Sequence, residues 1–489
     1  MVKGKDREEM SIEDMATFCK RKDFVYPSGE IYGGLSGFWD FGPNGVEMKN
    51  NVKQEWWNYF VQSREDMTGI DGSIITHPKT WEASGHTESF TDVFVECKEC
   101  GKAHKFDEHE LEEAQCEYCG GELDKENAKE LNLMFNTEVS PGKEPVKAFL
   151  RPETAQLIFT NFRQVAMNSR LKLPFGIAQV GKAFRNEISP RNFLFRSREF
   201  EQMEIEYFIA PDQECPYEVP EIETIIYSSK NQEDDEEGKK MSIKEALDKG
   251  AIKRKWHAFW LAKSLGWFKE RGCKMENFRL RQHMKDELSH YSSDCWDIEY
   301  KFPFGWKELT GIADRGDHDL SKHKEFSNKK MQLHDEERGK VLPHVVAEPS
   351  FGVERTFLVF MYEFYENDEE RGNIVLHLPP KLAPNKVAVF PLVKKEEDFV
   401  KKAKEIHENL KKEFNSFYDE SGSVGRRYAR QDEIGTPLTV TVDGQSLEDN
   451  TVTIRDRDST KQIRVKTGEL RRVIRKLING EIKFEEAGK

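Results

Sequence analysis

The sequence predicts a mixed α/β (α+β) fold in two parts, and three observations predict it. Residues 173–208 read as an antiparallel hairpin with a long loop. After Pro379-Pro380 and Pro384, strand and helix patterns alternate to the C-terminus, as in a compact α/β module. Two CxxC pairs, Cys97/Cys100 and Cys116/Cys119, interrupt the first part and read as an inserted zinc-ribbon-like module. The expected organisation is a main unit over 1–378, with insertions at about 95–145 and about 211–280, and a second domain over 381–489.

The elements follow in order. Residues 11–22 form a helix, with Ser11 at its N-cap and Asp14 three positions on. Residues 32–43 are glycine-rich and aromatic, hence strand and loop. From 46 to about 66, Val52, Trp56, Tyr59 and Phe60 recur at helical spacing. A strand over 73–76 ends at Pro78, and 125–145 is polar and irregular. The acidic run 233–237 is a solvated turn. Residues 241–272 are helical, and 353–366 form an apolar-striped helix after Gly352. The C-terminal part reads as strand 386–390, helix 395–415, strand 438–442, hairpin 451–466 and helix 468–478.

Composition narrows the class. The chain has 489 residues, 37% hydrophobic and 11% aromatic, too many for wholesale disorder. No run of 18 apolar residues suggests a membrane span, and the first thirty residues carry no secretory-type apolar stretch. A soluble, cytoplasmic protein without a membrane partner is the expectation. The net charge is −14, yet 381–489 holds 23 basic and 19 acidic residues. A nucleic-acid partner would therefore meet the C-terminal part, although ordinary scatter fits this small excess as well. Cys19, Cys215, Cys273 and Cys295 are scattered thiols. The four CxxC cysteines suit a closed, structural Zn²⁺ site better than four free thiols, with Gly101, Gly120 and Gly121 in the knuckle turns.

The hairpin is the best candidate for chemistry. Arg185-Asn186-Glu187 ends one strand, and 196–204 enters the next. Side chains alternate along a strand, so Met203, Ile205 and Tyr207 share a packed face, while Arg198, Phe200, Gln202 and Glu204 share the other. Phe200 and Glu204 then stand about 13 Å apart. An aromatic stacks on a base and arginine holds phosphate bidentately, so this face suits a nucleotide beside a small cation. Taken alone, it fits an exposed sheet face with ion pairs as well. Glu153 precedes a helix, where a carboxylate is ordinarily a helix-end charge. Arg355 near a helix N-terminus is electrostatically poor unless an anion sits there, which hints at phosphate. Neither a GxxxxGK[ST] nor a GxGxxG motif is present, which disfavours P-loop and Rossmann sites.

Taken together, these segments resemble the dimeric glycyl-tRNA synthetases, a class II aminoacyl-tRNA synthetase family, over nearly the whole chain. The stretch 32–43 resembles the family's N-terminal block, and 46–78 its motif 1, which implies a homodimer. Residues 184–187 through 200–204 resemble motif 2, and 352–355 motif 3. The blocks 294–297 and 305–315 match this family specifically, and 426–437 looks like its anticodon-binding domain. The resemblance implies an antiparallel-sheet catalytic domain and a C-terminal anticodon-binding domain. It also implies glycine activation with ATP and Mg²⁺, then transfer to tRNA(Gly). The alternative is a synthetase-like, non-catalytic tRNA-binding paralogue, which the presence of both Arg185 and Arg355 disfavours.

The family's roles carry over by residue. Arg185 and Arg355 are implied to be catalytic. Arg185, Asn186, Glu187, Arg196, Phe200, Glu308, Leu309 and Arg355 are implied around ATP. Glu153, Arg185, Glu204, Glu348 and Ser350 are implied around glycine. Bacterial relatives often carry an Arg-x-Arg-Ala-Asp stretch after the first CxxC. Here it is Ala103-His104-Lys105-Phe106-Asp107, and Lys105 stands as a possible substrate contact. The 211–280 insertion matches nothing diagnostic and could reach the tRNA acceptor stem.

Overall fold

Ser11 starts the first helix, Ile12–Arg21, as its spacing predicts. Its hydroxyl accepts from the Asp14 N–H at 3.1 Å, and the Asp14 carboxylate accepts from the Ser11 N–H at 3.2 Å. The computed structural model describes residues 9–106, 115–116, 119–140, 145–289 and 292–488. This first helix docks on a distant part of the chain. The Tyr362 hydroxyl donates to the Ser11 carbonyl at 3.2 Å, and Phe18 meets Tyr365 edge-on with centroids 5.4 Å apart. Trp39–Phe41 pairs with Val25–Pro27. Pro43 opens the helix Pro43–Trp57, which runs into one π turn, Asn58–Gln62. Val52, Trp56 and Phe60 are fully buried, as their spacing predicts, whereas Tyr59 stays half-buried.

A nine-stranded sheet organises the main unit. Its order is Lys239–Ser242, Glu223–Tyr227, Phe278–Gln282, Asp294–Phe302, Gly305–Asp314, His344–Gly352, Glu199–Ile209, Phe175–Phe184 and Met67–Ile70. Pairing is antiparallel except for Glu223–Tyr227 on Phe278–Gln282 and Met67–Ile70 on Phe175–Phe184. The predicted hairpin lies in this sheet, with Ala183 opposite Phe200 and Gln179 opposite Glu204. Met203, Ile205 and Tyr207 face the core at 0% exposure, which fixes the other face as the site.

The 211–280 segment is no appendage. Two of its strands form one edge of the central sheet. Its helix Lys255–Glu270 buries Trp256, Phe259, Trp260 and Trp267 in the same core as Phe60, Tyr207 and Phe351. A helix apolar on nearly all sides must be enclosed, and here the sheet encloses it. Among the described residues of the 125–145 stretch, 125–140 are more ordered than their polarity predicts. Lys129–Asn132 pairs with Thr91–Glu96, and Asn136–Val139 pairs with Val146–Leu150. Of the 73–76 strand only Ile75–Thr76 pairs, and Pro78 opens a short helix.

The C-terminal module has a five-stranded sheet in the order Ser416–Tyr418, Val387–Pro391, Leu438–Val442, Thr451–Asp456, Gln462–Lys466, with its own apolar core. Its first two pairings are parallel and its last two antiparallel. The helix Val424–Asp432 escapes prediction because its buried residues are Arg427, Gln431 and Asp432, which leave no apolar stripe. Among the described residues, no helix is long and apolar enough to cross a membrane.

Candidate active site

Four adjoining strands of the central sheet and one helix N-terminus build the site. Arg185 follows the strand Phe175–Phe184, and its N–H donates to the Arg198 carbonyl at 2.9 Å, closing the hairpin. The Arg185 Nε donates to the Pro152 carbonyl at 3.0 Å, and its guanidinium lies 5.4 Å from the rings of both Phe90 and Phe200. Arg355 stands in the first turn of the helix Val353–Glu363. Its Nε donates to the Phe195 carbonyl at 3.2 Å and its Nη1 to the Glu308 carbonyl at 3.0 Å, beside the Glu308 carboxylate at 3.1 Å. A cation held there keeps the helix's own N-terminal charge unbalanced, so the spot favours an anion.

One cavity joins these groups. Arg185, Glu187, Arg196 and Phe200 line it from the hairpin. Glu308 and Leu309 line it from Gly305–Asp314, and Ser350 and Arg355 from the strand and helix that follow. Asn186 is not on its wall; its backbone N–H donates to the Leu133 carbonyl at 2.7 Å. The side chain of Lys105 lies outside the described residues.

Glu153, Glu204 and Glu348 lie beyond this wall, in a buried polar cluster reached through Gln202 and Ser350. Gln202 Nε2 donates to Ser350 Oγ at 3.2 Å and to Glu204 at 3.5 Å, and Thr154 Oγ1 also donates to Glu204. Arg315, 2% exposed, grips Asp319 with two bonds of 2.7 and 2.9 Å and Glu348 with one of 2.7 Å. His86 lies 3.3 Å from Glu153, which also accepts from Gln156 at 3.2 Å. Burial opposes the charge on Glu153, but His86, Arg315 and Arg185 outweigh it and hold the carboxyl well below its usual range. Burial and the neighbouring Glu204 and Glu153 push Glu348 up to about 8 despite Arg315. Glu204 is raised by burial and by Glu153. A cup with this many carboxylates is costly until a cation arrives.

Sequence reasoning missed His86, Gln156, Arg315, Asp319 and Glu206. Glu206 is fully buried, and neither carboxyl oxygen has a hydrogen-bond partner among the described residues. Burial and Glu348 push its pKa well above the ordinary value, which favours the protonated acid. No local spacing links His86 to Glu153. Glu206 left a readable signal, two residues past Glu204 on the same strand face, as did the i,i+4 pair of Arg315 and Asp319.

The four CxxC sulfurs converge as predicted, all within 4.8 Å of one another. The Cys97–Cys119 and Cys100–Cys116 distances are 3.5 and 3.6 Å, near the ~3.8 Å edge of a tetrahedral zinc-thiolate site. Gly101 and Gly120 adopt φ of +66° and +72° in the knuckle turns, while Gly121 does not require positive φ. The donor set is compatible with zinc.

Known proteins carry the same parts. A family profile described as "tRNA synthetase class II core domain (G, H, P, S and T)" matches residues 143–364, and one described as "Anticodon binding domain" matches 386–477. The chain is 42% identical to the glycine–tRNA ligase of Treponema denticola, over 94% of this chain and 96% of that one. It is 42% identical to that of Geobacillus thermodenitrificans and 40% to that of Thermobifida fusca, each over 96% of this chain and 98% of the relative. With both domains matched and its relatives covered almost end to end, this chain belongs to the glycine–tRNA ligases, class II synthetases that use ATP to join glycine to its tRNA.

Proposed function

We propose that the cavity binds ATP between Arg185 and Arg355 and that the carboxylate cluster beyond Gln202 and Ser350 receives the glycine ammonium. In this reading, Phe200 stacks on adenine and Glu187 reads it, with Asn186 beside them off the cavity wall. Arg185 holds the α-phosphate and the glycine carboxylate. Arg196 lies by the triphosphate, Arg355 grips its far end, and Glu308 and Leu309 lie by the phosphates. Glu153, Glu204, Glu348 and Ser350 surround the ammonium. Mg²⁺ arriving with ATP would neutralise phosphate charge, and the Glu308 carboxylate offers the oxygen such a hard cation prefers.

A glycine carboxylate oxygen attacks the α-phosphorus in line, and the bond to pyrophosphate breaks as the new bond forms. The terminal ribose hydroxyl of tRNA(Gly) then attacks the activated carbonyl, and AMP leaves. The enzyme forms no bond to either substrate; positioning and the two guanidinium groups lower the barrier.

The remaining readings belong to the same proposal. Residues 1–378 are the catalytic unit and 381–489 the anticodon-binding domain. Zn²⁺ on Cys97, Cys100, Cys116 and Cys119 is structural, since four sulfurs leave no open position. The protein works as a cytoplasmic homodimer. A substrate contact by Lys105 remains part of the reading.

One observation carries the site assignment: Arg185, Phe200 and Arg355, from three separate segments, open on one cavity whose wall leads through Gln202 and Ser350 to Glu204. Glycine-dependent exchange of labelled pyrophosphate into ATP tests it, with alanine and serine as controls. Arg185→Ala is expected to lower exchange by about a thousandfold. Near-parent exchange in that variant would remove Arg185 from the mechanism.

A further inference from the structure

The C-terminal domain carries arginine-rich stretches, 426–430 and 455–458, that invite assignment to RNA phosphate. Burial sorts them differently. Arg427, Arg455 and Arg457 are 1%, 7% and 1% exposed, which leaves no room for a polynucleotide. Arg427 donates to the carbonyls of Pro391 and Leu392 within its own domain. Arg455 grips Asp432 with two bonds of 2.8 and 2.9 Å. Arg457 reaches outward to the catalytic unit.

The joint around Arg457 involves both domains. Its Nη1 donates to the Gly435 carbonyl at 2.7 Å and to the Leu378 carbonyl at 2.9 Å, and its other nitrogens hold Asp458 at 2.7 and 2.8 Å. From the other side comes the hairpin of Tyr365–Asp368 and Asn373–Leu376, which falls between the two family-matched spans. Arg371 at its turn donates to the carbonyls of Arg457 and Asp458, each at 2.7 Å. It also pairs with Asp368 at 2.8 Å and lies 3.5 Å from Asp432. His377 Nδ1 hydrogen-bonds with Asp458 at 2.6 Å, and its Nε2 lies 2.9 Å from a Glu366 carboxylate oxygen. Beneath the charges, Ile434 of the anticodon-binding domain packs in the catalytic core with Leu376, Leu378 and Leu382. The joint is thus apolar below and ionic above, with directional bonds to backbone carbonyls that would be lost by a small rotation.

We propose that Arg371, His377, Arg457 and Asp458 form a positioning clasp that holds the anticodon-binding domain at a fixed reach and angle from the active site. None of these residues touches ATP, glycine or the reacting atoms. Their effect is on the tRNA-dependent step alone. A tRNA that spans both domains gains from their rigid spacing, because a mobile domain must be ordered when the RNA binds. A short RNA carrying only the acceptor stem gains nothing.

The test uses the full-length enzyme and the variants Arg371→Ala, Arg371→Lys and His377→Gln. Three rates are measured: glycine-dependent pyrophosphate exchange, charging of full-length tRNA(Gly), and charging of an acceptor-stem minihelix. In Arg371→Ala, kcat/KM for full-length tRNA is expected to fall about tenfold, mostly through KM. Exchange and minihelix charging stay at the parent level. Arg371→Lys, which can still reach one carbonyl, falls between, and His377→Gln repeats the pattern more weakly. The proposal is overturned if full-length charging stays within about twofold of the parent in Arg371→Ala. It is equally overturned if all three rates fall together in both Arg371→Ala and His377→Gln, which would mark general structural damage.

Discussion

Glu206 shows how a single side chain sets the character of the cup. It lies on the same strand face as Phe200, Gln202 and Glu204, but deeper, and its carboxyl, with those of Glu204 and Glu348, lies within 4.8 Å of its neighbours. Three ionised carboxylates so close would repel more than one ammonium could offset, which favours protonation of at least one, and Glu206 has the least compensation. The folded state then binds a proton that the unfolded chain releases above its ordinary value of 4.5. Stability therefore falls as pH rises past that value. Glu206→Gln removes the titration but keeps the shape. The melting temperature of Glu206→Gln is expected to match the parent near pH 5 and to exceed it by a few degrees at pH 8. A gap that stays constant or reverses with pH would show that Glu206 is ionised in the folded protein.

At the scale of elements, the close approach of loop and strand around Arg151 holds the hairpin in place. This guanidinium, 1% exposed, donates to the carbonyls of Lys182 at 2.6 Å and Gly72 at 2.7 Å. Gly181 makes room for it, since a Cβ there would lie 2.1 Å from Arg151 Nη2. Gly181→Ala is expected to destabilise by about 3 kcal/mol or more in denaturant titration, because a buried charge must leave its partners. A loss under about 1 kcal/mol would mean that the strand yields instead. The hairpin itself was legible, because a period-two pattern separated Met203, Ile205 and Tyr207 from Phe200 and Glu204. The C-terminal strands Leu438–Val442 and Thr451–Asp456 were legible too, being apolar and bounded by turns. The strands Lys129–Asn132 and Asn136–Val139 were not, because exposed polar residues carry no burial period and their partners lie far off in sequence. In the site, the motif resemblance named Arg185, Glu187, Arg196, Phe200, Glu308, Leu309, Ser350 and Arg355, which line the cavity, and also Asn186, which does not. Arg315 and Asp319 stand four residues apart, but their meeting with His86, Glu153 and Glu348 requires distant segments to pack together, and no spacing announces that.

For the whole molecule, surface left uncovered points to assembly. Ile74, Ile75, Val139 and Val146 are between 39% and 56% exposed on the small sheet of Ile75–Thr76, Val146–Leu150 and Asn136–Val139. These apolar side chains lie within or beside the segment that resembles motif 1, and they suit the face of a second copy. For the homodimer proposed above, Ile75→Lys is expected to shift the particle from dimer to monomer mass in light scattering, while an unchanged dimer mass would place the interface elsewhere. The docking of Ile12–Arg21 has a different kind of consequence. Ser11 meets a partner 351 residues later in the chain. During synthesis at about 5–20 residues per second, the amphipathic start of this protein waits roughly 20–70 s at the ribosome before its seat exists. Its apolar stripe of Ile12, Met15 and Phe18 therefore reaches that seat only after most of the main unit has been made.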